Sequence, residues 1–503
     1  MEIIYREREG GESYVESYKK VRPSDFSAKE AELVSGGYTE IARNYLGNVE
    51  SIVFCRGEEL ALLTYFPNAK ELRLVTEPDS GYVTYLKEKD EQLSYQGPTK
   101  LTHVDTDDPG ISTVIRLPDG RFIVFDGGWE NNQDAHQLMD VLRAQNPYER
   151  PVIAAWIMTH PHIDHYRAYF DFDSAYRDEV EIQRFIFNFP DPALDERIPR
   201  LAHANEYLNI GRFYDRVSAI DAKVIRAHTG QVFEFSGVRL EIISSPDDVY
   251  VIPIKDFNKQ SLIVKIYAEG QTILHGGDAH FGSTNIAGRY GEHLKSDILY
   301  IPHHFFDGGN IAAYDCVHPE VLIIPTPEVL AFEFISMWRN HYRNISEHLI
   351  YHLGVKECFT NGMGNITLTL PYTCREGARE RFLARVEEHK RSVGAKSWYF
   401  DGMTKETAEF TFINAIWDTT DVSVDLLFED SKCDIFDIKI TLPAKSFKKL
   451  NVITDESVNP ENSIMNKESL KKLGVPEGAE FVVHIRANKP IVVAGRKPAV
   501  YHD

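Results

Sequence analysis

The chain is poor in cysteine, in positive charge and in long apolar runs, and each shortage closes off a class of protein. Cys55, Cys316, Cys358, Cys374 and Cys433 are its five cysteines in 503 residues. They are odd in number, widely scattered and form no CxxC pair, which argues against a disulfide framework and for a reducing cytoplasm. No apolar run approaches the roughly 20 residues that cross a bilayer, so no membrane segment is expected. The opening MEIIYREREGGESYVE carries charges where a signal peptide needs its apolar stretch, so export is not indicated. Lys and Arg total 55 against 76 Asp and Glu, a formal net charge of −21. A phosphate-backbone binder needs a basic footprint, so long nucleic acid is disfavoured as a partner. A small anionic substrate stays compatible, because a bound metal inverts the local field whatever the overall charge.

Against these absences stands one dense motif, Thr159-His160-Pro161-His162-Ile163-Asp164-His165. The preceding Val152-Ile153-Ala154-Ala155-Trp156-Ile157-Met158 reads as a buried strand, so the motif sits on the loop that leaves it. A single loop histidine is ordinarily a surface residue. Three imidazoles and a carboxylate in six positions are hard to explain as packing, since a polar cluster at the mouth of an apolar strand needs partners. Imidazole with carboxylate suits zinc, iron, manganese or nickel, whereas calcium takes oxygen ligands. Zinc, as one or two ions, is the expected cofactor, with manganese or iron as alternatives.

Three further patches share one design. Arg121 to Phe125 is an apolar strand that delivers Asp126 at its end, followed by Gly127 and Gly128, which let the backbone turn close to the acid. Gln271 to His275 leads likewise into Gly276-Gly277-Asp278, and Asp297 to Pro302 ends in His303-His304. Alone, each is a common turn or a pair of surface histidines. With the first motif they form a specific set.

The order HxHxDH, upstream strand-DGG, later strand-GD and still later strand-HH resembles the metallo-β-lactamase superfamily of hydrolases over roughly residues 99 to 310. Its two-histidine closing motif and spacing resemble the branch that includes DNA-uptake competence proteins and phosphorylcholine esterases more than the antibiotic-hydrolysing branch. The resemblance implies an α/β fold: an αββα sandwich, two packed sheets with helices outside and ligands gathered at one edge. It further implies that His160 and His162 hold a first metal, Asp164 and His165 a second, and that Asp278 bridges them. His303 or His304 closes the second site, and Asp126 orients a ligand histidine through its other ring nitrogen. The superfamily commonly has one more first-metal histidine just before the strand leading to the bridging acid, and the stretch from Ser245 to Ser261 has none. His228 upstream and His280 downstream are the nearest substitutes. Water, Asp247, Asp248 or Asn258 are the others, and occupancy by one metal is an alternative to two.

Around this centre the chain divides into an N-terminal α+β extension (1–98), the catalytic domain (99–395) and a C-terminal all-β domain (396–503). The last reads as short strands, among them Phe410–Asn414, Val422–Phe428, Phe481–Arg486 and Ile491–Ala494, separated by turn residues. Trp398–Gly402, Phe412–Asn414, Leu427–Asp430, Leu442–Ala444, Asn488–Val493 and Gly495-Arg496 resemble the sensory-rhodopsin-transducer-like β-sandwich family. That resemblance implies a module that oligomerises and binds partners.

The expected activity is metal-dependent hydrolysis by a metal-bound hydroxide, with Asp164 and Asp278 ionised, of an ester such as a phosphodiester or other small phosphoester. Two other readings stand beside it. One is a binding or signalling protein with a vestigial metal site, motivated by the C-terminal domain. The other is a diiron oxygen or nitric oxide reductase. Those relatives carry glutamate at the position of His162 and usually a flavin module, of which no trace is found here.

Overall fold

The computed structural model describes residues 2–9, 13–78, 81–88, 90–106, 108–131, 133–190, 204–249, 257–306, 310–335, 345, 347–392, 394–429, 434–455 and 478–502. Asp430 and Cys433 lie outside the described residues. The other four cysteines are free thiols. Contacts gather the chain into two compact units, Met1–Ala331 with His341–Arg379, and Phe332–Asn340 with Glu380–Asp503.

The first unit opens with a six-stranded antiparallel sheet whose spatial order is Glu2–Glu9, Ser13–Lys19, Glu71–Pro78, Glu59–Phe66, Val49–Arg56 and Thr39–Leu46. Period-two alternation gives it two apolar faces. Ile52, Phe54, Leu63 and Leu74 pack with Phe26 and Leu33 of the helix Pro23–Ser35. Val53, Leu62 and Val75 point the other way and join Phe233, Val238 and Leu240 in the main core. With both faces covered, the strand Glu59–Phe66 is buried along nearly its whole length.

Two larger sheets follow, packed face to face. In the first, Phe122–Asp126, Val152–Ile157, Arg184–Phe187 and Lys223–Arg226 run parallel, with Ser112–Arg116, Lys100–His103 and Ile366–Thr369 antiparallel beyond Phe122–Asp126. In the second, Val232–Phe235, Val238–Ser244, Ile263–Ala268 and Gln271–His275 form an antiparallel meander that continues in parallel through Ile298–Tyr300, Val321–Pro327 and Glu357–Asn361. Ile123, Phe125, Ala155 and Ile157 of the first sheet meet Val264, Ile266, Ile273 and Tyr300 of the second in one apolar layer. On the outer face of the first sheet, Trp156 and Phe185 pack with Leu138 and Leu142 of helix Asp134–Gln145, Phe172 of Ala168–Tyr176 and Phe213 of Ala204–Ser218. Parallel strands require covered faces and read as continuous apolar runs, as Val152–Ile157 does. The result is the αββα sandwich that the resemblance implies.

Among its described residues the second unit is built of strands apart from the end of the helix Glu328–Ile335 and most of the helix Ala378–Ser392. Two sheets share the strand Phe481–Gly495, which the sequence reads as two strands with a turn between. Residues 481–487 pair with Thr420–Phe428, and 492–495 pair with Glu409–Asn414. Asn488-Lys489-Pro490 is thus the corner at which one strand passes from sheet to sheet, where proline's missing N–H breaks no ladder in either. Among the described residues no helix is long and apolar enough to cross a membrane.

Candidate metal centre

The ends of four strands deliver the site. Phe122–Asp126 ends on Asp126, Val152–Ile157 leads into the loop bearing His160 to His165, Gln271–His275 leads to Asp278, and Ile298–Tyr300 leads to the His303-His304 turn. Asp126, His160, His165, Asp278 and His304 are all buried. Glycine makes one of these turns possible. Gly277 has φ +48°, and a Cβ there would collide with Ser261 Oγ and stand 2.9 Å from Thr159 Cβ. The closing turn holds three successive residues in the left-handed region, His303 (φ 54°), His304 (φ 49°) and Phe305 (φ 74°). Such strain persists only where the surrounding structure imposes it, and it gathers at functional sites.

Ligand-type atoms of Asp164, His165, Asp278 and His304 lie within 4.8 Å of one another, and so do those of His160, His162 and Asp278. Asp278 belongs to both groups. Of the two closing histidines, His304 enters the cluster and His303 does not. His303 instead sits beside it, its Nε2 3.0 Å from Asn258 Nδ2 and its ring stacked on His280 at 5.3 Å.

The hydrogen-bond network assigns the ring tautomers. His165 Nδ1 donates to Asp126 Oδ2 at 2.8 Å, and His304 Nδ1 donates to the Pro325 carbonyl at 2.8 Å. Both Nε2 atoms then point inward, 3.2 Å from each other. Asp278 Oδ1 is 3.2 Å from His165 Nε2 and 3.4 Å from His304 Nε2, and Asp164 Oδ2 is 3.0 Å from His304 Nε2. Asp126 is itself held by the Thr159 amide (2.7 Å), the Thr159 hydroxyl (2.8 Å) and, through its carbonyl, Trp156 Nε1 (2.7 Å).

The field at this point favours positive charge. Burial by itself pushes His165 and His304 down. The carboxylates of Asp278 and Asp164 outweigh it, aided at His165 by Asp126, raising His165 well above its ordinary value and His304 to about 10. Burial likewise opposes ionisation of Asp278, and His165 and His304 overcome it, holding the acid well below the usual carboxylate range. Two inward-facing Nε2 atoms at 3.2 Å, beside two carboxylates, need a positive charge between them. One divalent cation satisfies all four inward-pointing donors at once, so the residues fit a metal ion. His160, in contrast, is held well below its ordinary value by burial and by the neighbouring His165. It is a neutral imidazole suited to ligation.

His228 is placed elsewhere. Its Nδ1 contacts Asp247 Oδ2 at 2.7 Å and its Nε2 contacts Glu77 Oε1 at 2.9 Å, so both nitrogens are committed and the ring cannot complete the first group. Asp248 is likewise committed, to Arg73, to Arg289 at 2.7 Å and to the Thr229 hydroxyl at 2.5 Å. These residues fasten the N-terminal sheet to the sandwich. Thr159 and Ser261 are supports that motif reading passes over. Ser261 Oγ accepts from the Asp278 amide at 3.0 Å and lies 3.3 Å from His160 Nδ1. The sequence signal of Thr159 is its place beside His160, and Ser261 has none.

A sandwich of this layering, with histidines and aspartates gathered at one edge from several strand ends, defines a metallo-β-lactamase fold. The family model described as the metallo-beta-lactamase superfamily matches residues 105–316 of this chain. No curated protein matches the chain. Among solved structures it is similar to the metallo-beta-lactamase fold protein YhfI from Bacillus subtilis, at 11% identity over 54% of this chain and 99% of that one, TM-score 0.33. It is similar to Zn(2+)-bound PqqB from Methylobacterium extorquens at 13% identity, over 52% of this chain and 87% of that one, TM-score 0.32. The Anabaena sensory rhodopsin transducer matches at 18% identity over 20% of this chain and 96% of that one, TM-score 0.17.

Proposed function

We propose that the protein is a divalent-metal hydrolase that cleaves an ester bond in a small anionic substrate, a phosphodiester or other small phosphoester. The observation that carries this reading is the sharing of Asp278 between two groups of donors. Bound divalent cations supply an acidified water near neutral pH, with a pKa brought toward ~7, and a clamp for the attacking and leaving oxygens.

The chain's own groups do the positioning. Asp126 fixes the His165 tautomer and Pro325 that of His304. Asp164 keeps 19% of its side chain exposed, against 3% for Asp278, so substrate approaches on the Asp164 side. His303 lies beside the cluster, where a proton donor for the leaving oxygen is needed. Zinc suits this nitrogen and oxygen donor set, and manganese and iron share it. The closing histidines, in place of the cysteine many β-lactam-cleaving relatives use, support an ester over a lactam.

Purified protein tested on bis-p-nitrophenyl phosphate is expected to contain transition metal and to cleave the ester, with both properties lost in Asp164→Ala and Asp278→Ala. Metal-free wild-type protein, or turnover that survives in both variants, contradicts the reading.

A further inference from the structure

We infer that Asn258 is a metal ligand: its side-chain oxygen completes the first cation site with His160, His162 and Asp278, so the two cations bind with unequal strength. This rests on the reading above that the cluster binds metal.

The first group has three donors of the histidine and carboxylate type and the second has four. Of the candidates offered by the sequence for the missing donor, His228, Asp247 and Asp248 are engaged in the network below the N-terminal sheet, and His280 is not among the donors that gather with His160, His162 and Asp278. Asn258 reaches. It opens the short 3-10 turn Asn258–Gln260 that leads into the strand Ile263–Ala268, and the Ser261 amide bonds its carbonyl at 3.0 Å. Its Oδ1 lies 3.0 Å from His160 Nε2, and its Nδ2 lies 3.0 Å from His303 Nε2.

The tautomer of His160 gives that contact its meaning. The Thr159 hydroxyl proton goes to Asp126 Oδ2 at 2.8 Å, which leaves Thr159 Oγ1 open to accept from His160 Nδ1 at 3.1 Å, and this is the tautomer in which His160 Nε2 can ligate. With its proton on Nδ1, His160 presents an Nε2 lone pair to the Asn258 oxygen, another acceptor. Two acceptors facing each other at hydrogen-bond distance repel unless a cation lies within reach of both. Asp278 Oδ2 stands 3.7 Å from the same Nε2. The opposite end of the carboxamide, Nδ2, contacts His303 Nε2 at 3.0 Å and holds that histidine beside the cluster.

The donor sets then differ in charge. The second site has two carboxylates, Asp164 and the shared Asp278, with two imidazoles. The first has the shared carboxylate, two imidazoles and a neutral amide oxygen. The second therefore fills first. The amide oxygen, a hard donor, tilts the weaker site toward manganese over zinc compared with a third histidine.

The test is equilibrium binding of Mn2+ and Zn2+ to metal-stripped, full-length protein, read as stoichiometry and stepwise affinity, with the spin-coupled Mn2+ resonance signal as a second readout. Wild type is expected to bind two ions in separate steps. Asn258→Ala should weaken the second step by about tenfold or more and lose the coupled signal while keeping the first step, since even supporting groups around a metal contribute 10-fold to 100-fold. Asn258→Asp, which preserves the turn and adds a charge, should tighten the weak step, and Asn258→His should tighten it for Zn2+ more than for Mn2+. Two unchanged steps in all three variants overturn the role of Asn258 and leave the hydrolase reading standing. No binding by wild type overturns both.

Discussion

The Nε2 atoms of His165 and His304 face each other at 3.2 Å, each ring turned inward because its Nδ1 is bonded elsewhere. This pairing separates two adjacent histidines that the sequence leaves equivalent. His304→Ala is expected to lose the metal of the second site, whereas His303→Ala keeps the wild-type metal content. Metal analysis of the two purified variants decides it, and equal losses would contradict the assignment.

Asp126 touches no candidate cation position, yet it fixes His165 and receives two bonds from Thr159. Asp126→Asn is expected to fold, to keep its circular dichroism spectrum and to bind metal roughly 10-fold to 100-fold more weakly, the usual effect of removing a partner that orients a ligand histidine. Competition against a chromogenic chelator measures this. Unchanged affinity would remove Asp126 from the account.

Gly277 lies in the left-handed region with Ser261 and Thr159 against it. Gly277→Ala should destabilise the protein by roughly 1–3 kcal/mol through strain at that turn and should shift Asp278. Lower stability together with weaker metal binding is the expected pair of results in denaturant titration and dialysis.

His228 gives a pH dependence with a definite sign. Burial lowers its pKa, but Glu77 and Asp247 overcome this and raise it from 6.5 to about 10. A raised pKa in the folded state means that the stabilisation is complete below about pH 6.5 and is lost as pH rises through about 10. Urea midpoints should therefore fall between pH 7 and 10 in wild type, and this His228 component should vanish in His228→Gln. That variant should also lose about 3–5 kcal/mol at neutral pH, because two buried carboxylates lose their counter-ion. Identical pH slopes in the two proteins would contradict the pairing.

Much of the sandwich and its metal-binding edge was legible because strand-end chemistry is local. An apolar run followed by Asp-Gly-Gly, or by His-His, shows in a few residues that a strand ends on a polar group. His160, His162, Asp164, His165 and Asp278 converge as that pattern implies. What stayed hidden depends on partners far away in the chain. His228 looks like a spare ligand until Glu77, 151 positions away, is seen on its Nε2. The choice of His304 over His303 follows from backbone dihedrals and the Pro325 carbonyl, which no spacing rule reaches. In the C-terminal unit, Asn488-Lys489-Pro490 reads as a turn and is instead a corner within one strand, because a bend between sheets and a reversal within one sheet draw on the same residues.

Anomalous diffraction across the zinc, iron and manganese absorption edges, on crystals of protein purified without chelator, tests the central claim most directly. We expect a peak between Asp164, His165, Asp278 and His304, and a second, weaker one beside His160, His162 and Asp278 that strengthens when crystals are soaked in metal. Featureless density at both positions in metal-soaked crystals of well-folded protein would contradict the account.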